Sequence, residues 1–569
     1  MKTIRRALAL CLSLCLLAAG LPAAQAADGQ FDDVPKSSFA YQDILDLRQK
    51  GVALGMGGNL YGLNQNFKRC DFILMLARLL GGETGRGTPR AADLPAGHYA
   101  AGAVAWAESQ GLLDEAGAEG PYQFRPDDPI ARQEMAVILA RALGIPAEAS
   151  QSLAASVSDN PFTDMSAEEY PNSFYEALAA YDFGVVNGAT AGRPTAFNPK
   201  GNATREQTAA MMMRFYRLYS GKPAELHGFY AISSYSQIDK IASLMGVTAG
   251  WSRLEYGEKG PWLNTTKEGG NDWAVPSGAE QVRRAAEQSG APLLLGVFLS
   301  VGQQYDDQSQ ARLLLAEENR TAAVRAIVEY LAQNPGYQGV TIDFEGFVSA
   351  DYKAPYTAFL TQLRQALNDS GRQYLLYCAL PPADNYQGYD YRAIGDIADK
   401  LILMAHDYHP ATLPDYLQTE IPSTPLAPFN RVYAALRQIT DPETGVRDRS
   451  KVLLAISFGA VRWEYTETEF SDKAKNTTYP AIHDRLQSGS AQYFFDQASQ
   501  SPCLCYYDDS DGTTNTVWYE DQRSVAAKAA LARDFGVGGL SVWRLGVVPD
   551  YDDGTNLDLW PVLLAGARR

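Results

Sequence analysis

From residue 226 onward the chain alternates short apolar runs with amphipathic stretches, and few folds accommodate that order. The runs are HGFYAIS, GVTAGW, APLLLGVFLS, GVTIDFEGF, QYLLYCALPP, KLILMAHDYHP, KVLLAISFGAV and GGLSVWRLG. Segments of helical period, such as AAVRAIVEYLAQN and YTAFLTQLRQALNDSG, lie between several of them. Eight strand candidates with intervening helices predict an α/β fold, a (β/α)8 barrel over residues 227–569.

One run breaks the apolar rule. GYQGVTIDFEGF, residues 336–347, ends by placing Asp343 and Glu345 two positions apart. Side chains alternate along a strand, so Thr341, Asp343 and Glu345 share a face. Adjacent carboxylates repel and resist desolvation, which makes them poor core residues. At the C-terminal end of a barrel strand they face the region where such folds carry their active sites. The pair is therefore the primary candidate for chemistry.

The N-terminus reads MKTIRRALALCLSLCLLAAGLPAAQA: a basic start, an apolar run, then a small-residue cleavage pattern at Ala24-Gln25-Ala26. Residues 1–26 are expected to be an export signal, and the apolar run is too short to predict a transmembrane anchor. Cys70, Cys378, Cys503 and Cys505 lie beyond that segment, too few for a disulfide-stapled scaffold. With 5 histidines and no close Cys/His set, neither a metal nor a cofactor is expected. A net charge of −17 disfavours nucleic acid as a partner.

The segment ahead of the barrel repeats. Phe31 to Gly81, Ala91 to Gly144 and Phe162 to Tyr219 each run Asp, aromatic, amphipathic helix, Gly, loop and a second helix opening on Arg. The openings are Phe31-Asp32-Asp33-Val34, Ala92-Asp93-Leu94 and Phe162-Thr163-Asp164-Met165. The second helices start with Lys68-Arg69-Cys70-Asp71, Ala131-Arg132-Gln133-Glu134 and Thr204-Arg205-Glu206-Gln207. This pattern resembles the S-layer homology module. Expected boundaries are 27–85, 86–148 and 158–219, an all-α three-repeat domain, with 220–226 as linker. The resemblance implies binding to a secondary cell-wall polysaccharide and a place on the bacterial cell surface. An Arg beside the free N–H groups of a helix start suits an anion, so Arg69, Arg132 and Arg205 are the candidate contacts.

GVTIDFE in turn resembles the DGxDxDxE signature of glycoside hydrolase family 18. Gly339, Asp343 and Glu345 match it; Gln338 and Thr341 do not. Met404-Ala405-His406-Asp407 stands at the family's Met-x-Tyr-Asp motif, Trp543 at its strand-eight Trp, and Gly228-Phe229-Tyr230 at its first strand. Ala379-Leu380-Pro381-Pro382 and Trp518-Tyr519-Glu520-Asp521 look most like the branch of spore cortex-lytic N-acetylglucosaminidases. The resemblance implies cleavage of an N-acetylglucosamine-containing glycan, peptidoglycan or chitin-like. Glu345 is implied as acid and then base, Asp343 as partner of the acetamido group. Tyr230, His406, Asp407 and Trp543 are implied as substrate contacts. An alternative is a lectin-like surface protein that keeps the cleft without turnover.

Overall fold

The computed structural model describes residues 30–567 except 83, 86, 114–120, 147–148, 150–152, 154–155, 158, 190–191, 193, 222–224, 232–233, 302–313, 385, 420, 467–469 and 472. The expected signal segment, 1–26, lies outside the described residues, as do 222–224 of the expected linker. The described chain forms two compact units. One runs as far as Met135 and takes in Pro199–Tyr216; the other comprises Ala136–Asn198 and the chain from Arg217 onward.

Each expected repeat supplies a pair of helices: Tyr41–Gln49 with Arg69–Leu79, Ala101–Ser109 with Arg132–Ala142, and Phe174–Asp182 with Arg205–Tyr219. The Asp of each opening has a structural role. Asp33 accepts from the N–H groups of Tyr61, Gly62 and Leu63, Asp93 from Phe124 and Arg125, and Asp164 from Phe197 and Asn198. One carboxylate thus closes the loop between paired helices and satisfies backbone donors that a turn leaves open.

In the second unit eight parallel strands close into a barrel. They are β1 (Glu225–Tyr230), β2 (Gly246–Gly257), β4 (Leu293–Ser300), β5 (Gly339–Glu345), β6 (Leu375–Leu380), β7 (Lys400–Leu403), β8 (Val452–Ser457) and β14 (Gly539–Trp543). β1 pairs with β14 on one side and β2 on the other, so the ring has no free edge. Each of the eight apolar runs supplies one of these strands. The end of β2 turns back into a short antiparallel partner, β3 (Gly260–Asn264).

The stretch after β8 departs from simple alternation. β9 (Val461–Tyr465), β10 (Lys475–Asn476), β11 (Gln492–Asp496), β12 (Ser501–Asp508) and β13 (Thr513–Trp518) form an antiparallel sheet ordered β10-β9-β13-β12-β11. Its apolar face gathers Val461, Trp463, Cys503 and Trp518 with Leu413 and Leu426. Both indoles are satisfied: Trp463 donates to Thr424 and Trp518 to the Pro422 carbonyl, each at 2.7 Å.

β5 shows how the alternation works. Val340, Ile342 and Phe344 face the helix layer, where the Phe344 ring lies 5.1 Å from Phe359 and 5.9 Å from Tyr356. Thr341, Asp343 and Glu345 face the other way, into the barrel. Gly346 follows at φ 89°, and a Cβ there would lie 1.9 Å from the Val301 carbonyl oxygen. Only glycine allows that turn, which keeps Glu345 at the rim.

Candidate active site

Glu345 lines a cavity of about 360 Å³ at the C-terminal rim of the strands. His406 and Asp407, just past β7, line the same cavity, with Pro381, Pro382 and Asp384 following β6. Asp343 sits deeper, 5% exposed, and its Oδ1 is buried with no hydrogen-bond partner among the described residues. Burial, and then the charge of Glu345, push the Asp343 carboxyl well above its ordinary range. Burial also raises Glu345; the His406 imidazole opposes that shift and Asp407 adds to it. The site therefore favours protonated carboxyl groups, as a proton donor needs.

His406 and Asp407 form a dyad, with His406 Nδ1 donating to Asp407 Oδ2 at 2.9 Å. Burial works to raise Asp407, but the hydrogen bond and charge of His406, helped by His409, hold it below the usual value. Its backbone adopts φ 59°, a left-handed conformation uncommon for a residue with a side chain. His406 Nε2 is buried without a partner among the described residues. With Nδ1–H committed to Asp407, a neutral ring offers a lone pair at Nε2, and only the imidazolium offers a second N–H.

Thr341 does not face Asp343 alone. Its hydroxyl is hydrogen-bonded to Thr248 at 2.6 Å, Thr248 to His227 Nε2 at 2.9 Å, and His227 Nδ1 to Ser541 at 2.8 Å. All four are buried, and burial pushes His227 down to about 3, so the file is neutral.

Tyr230 and Trp543 are not among the residues lining the Glu345 cavity. Tyr230 is fully buried, its hydroxyl has no partner among the described residues, and burial pushes that hydroxyl well up. Trp543 packs edge-on to Phe229 at 5.1 Å and lies 6.0 Å from Trp273, which stacks on Phe298 at 4.6 Å. Sequence reasoning missed Asp384, His409 and Arg431, which also line the cavity. Arg431 donates to Asp384 at 2.7 Å, and its guanidinium lies 4.5 Å over Tyr408. Asp384 lies just past a barrel strand, where a signal existed. Arg431 lies on helix Phe429–Ile439 and had none.

In the first unit, Arg69, Arg132 and Arg205 each open the second helix of a pair. Arg69 is 5% exposed; its Nε donates to the Phe124 carbonyl at 2.8 Å and its guanidinium pairs with Glu134. Arg205 Nε donates to the Tyr61 carbonyl at 2.6 Å, and the guanidinium lies against the rings of Tyr61 and Phe67. Arg132 is also buried.

Asp343→Asn is expected to stabilise the fold in a pH-dependent way. A carboxyl whose folded pKa is raised costs little while protonated, and its penalty grows as pH rises from its unfolded value through the folded one. The variant should match wild type near about pH 3 and gain Tm increasingly above about pH 4. Thermal unfolding across that range checks this. A Tm difference that does not change with pH would contradict it.

The family described as Glycosyl hydrolases family 18 matches residues 263–547, half of the chain, and that described as S-layer homology domain matches residues 161–209, within the third repeat. The cortical fragment-lytic enzyme of Bacillus subtilis (strain 168) is 24% identical over 273 residues, 47% of this chain and 59% of that protein. Its namesake from Bacillus anthracis is 26% identical over 223 residues, 38% of this chain and 48% of that one. The chain spans about half the length of the curated relatives it matches. Among solved structures, the Bacillus cereus spore cortex-lytic enzyme SleL aligns with a TM-score of 0.49 at 17% identity, covering 61% of this chain and 75% of that one.

Proposed function

The chain belongs to glycosyl hydrolases family 18, and on that premise we propose that it cleaves β-linked N-acetylglucosamine glycans, peptidoglycan or chitin-like, while its repeats hold it on the bacterial cell wall. One observation carries the reading of the site: two carboxyl groups share one inward face of β5, both raised by burial. Glu345, open to the cavity, protonates the leaving oxygen and then, as its conjugate base, activates water. Asp343 receives the acetamido N–H and stabilises the charge that develops as the acetamido oxygen attacks the anomeric carbon.

A two-carboxylate retaining mechanism needs a second acid across the sugar, about 5–5.5 Å from the first. Asp343 lies on the same strand face as Glu345, Asp407 is tied to His406, and Asp384, which also lines the cavity, is tied to Arg431. The substrate's own acetamido oxygen is then the nucleophile, which gives an oxazolinium intermediate and retained β-configuration. His406 faces the acetamido carbonyl, Asp407 contacts the sugar beside it, and the half-buried Trp543 offers its ring as a floor, while Tyr230, fully buried, stays behind the surface. The Glu345 acid is lost as pH rises, so turnover falls on the alkaline side.

The test is digestion of purified peptidoglycan and of chitin oligomers, with proton NMR of the first product. A β-anomer is expected, and substrates without the N-acetyl group should not turn over. An initial α-anomer overturns the mechanism, and glycan binding without turnover identifies a lectin-like protein instead. For the repeats, the reading is that Arg69, Arg132 and Arg205 contribute to an anionic-polysaccharide surface. Sedimentation with isolated walls measures it.

A further inference from the structure

A second cavity, of about 550 Å³, adjoins the first, and Asp384 lines both. Its size is ordinary for a ligand site. Lys353, at the start of helix Lys353–Asp369, is exposed there with no partner among the described residues. Arg392 spends Nη2 on the Pro442 carbonyl at 2.6 Å, while its Nε is buried without a partner among the described residues. Gln438 Oε1 likewise has no partner among the described residues. On the opposite charge, the exposed Glu443 side chain has no ion-pair partner among the described residues. The cavity therefore presents separated unneutralised charges of both signs beside unspent amide and guanidinium groups.

A sugar ring is an unsuitable occupant. Sugars dock by laying an apolar face on an exposed aromatic ring. The two tyrosines here, Tyr389 and Tyr391, are 4% and 5% exposed, and their hydroxyls are committed to the Phe344 and Pro381 carbonyls. Separated charges and spare amide partners suit a short peptide with free carboxylates and an amine. Peptidoglycan carries such a peptide on the sugar next to N-acetylglucosamine, and this cavity shares a wall with the one that holds Glu345. We propose that the second cavity binds the zwitterionic stem peptide of the glycan, with Lys353 and Arg392 on its carboxylates and Glu443 on its amine. This rests on the glycan-hydrolase reading of the adjoining site and narrows its substrate to peptide-bearing glycan.

The experiment uses the full chain and one peptidoglycan oligosaccharide in two forms, intact and stripped of peptide. Wild type should show kcat/KM roughly five- to ten-fold higher for the intact form, chiefly through KM. The Lys353→Ala/Arg392→Ala variant should bring that ratio close to one without changing the rate on stripped glycan. Lys353→Arg should keep the preference. A ratio of one in wild type, or one the double variant leaves unchanged, overturns the proposal. Calorimetric titration with an acidic tetrapeptide carrying one free amine reads the cavity even where no glycan is cut. Binding by wild type that the double variant loses supports it, and no binding by wild type overturns it. Failure to hydrolyse either form, with peptide binding intact, counts against the glycosidase reading alone.

Discussion

Glu345→Gln is expected to slow hydrolysis by about 10²–10⁴-fold, the usual worth of a positioned acid, while glycan binding persists. The amide keeps the shape and polarity of the carboxyl but has no acidic proton to give the leaving oxygen, and it cannot serve as base in the second half of the reaction. It also relieves the repulsion with Asp343, so the fold should not suffer. The check is turnover of a fluorogenic N-acetylglucosamine oligomer beside calorimetric binding of an uncleaved one. Wild-type turnover in a rigorously purified variant would sink the assignment of Glu345. Lost binding with residual turnover near wild type would instead make it a substrate contact.

The largest expected effect on stability lies away from the cleft, at Lys528. Its ammonium holds both oxygens of Glu520, at 3.0 and 2.7 Å, and Ser524 Oγ donates to the same carboxylate at 2.6 Å. Both charged side chains are only 3% exposed. Burial raises Glu520, and Lys528 and Ser524 pull it back. Lys528→Met strands that carboxylate, and breaking a buried pair from one side typically costs about 3–5 kcal/mol. The loss should shrink toward acid pH, where Glu520 can take up a proton. Replacing Glu520 and Lys528 together by apolar residues should restore most of the loss. Urea unfolding followed by tryptophan fluorescence measures all three proteins. A shift within about 0.5 kcal/mol for Lys528→Met would show that the pair is not holding the fold.

Much of the barrel was legible because its signals are local. Each strand run announces itself through β-branched and apolar residues between helical segments, and the face shared by Thr341, Asp343 and Glu345 follows from a period of two. The antiparallel sheet after β8 was not read. Its strands Gln492–Asp496 and Thr513–Trp518 are half polar, and their pairing depends on partners elsewhere in the chain.

The site divides along the same line. That Asp343 and Glu345 share one face of a strand, and that His406 and Asp407 lie just past another, is contained in short stretches of residues. What those groups touch is not. Closure of the ring brings β2, β5 and β14 around one interior, so that Thr341, Thr248, His227 and Ser541 meet although Ser541 lies 314 positions from His227. The same closure sets Arg431 on Asp384 at the cleft, 47 positions away. Local order determined which residues could carry the chemistry. Tertiary structure alone decided their neighbours, and neighbours set the desolvation and charge that tune each carboxyl. The arginines of the repeats show it most plainly. Sequence shows only that Arg69 opens a helix; folding sets its guanidinium beside the Phe124 carbonyl and Glu134, 55 and 65 positions away.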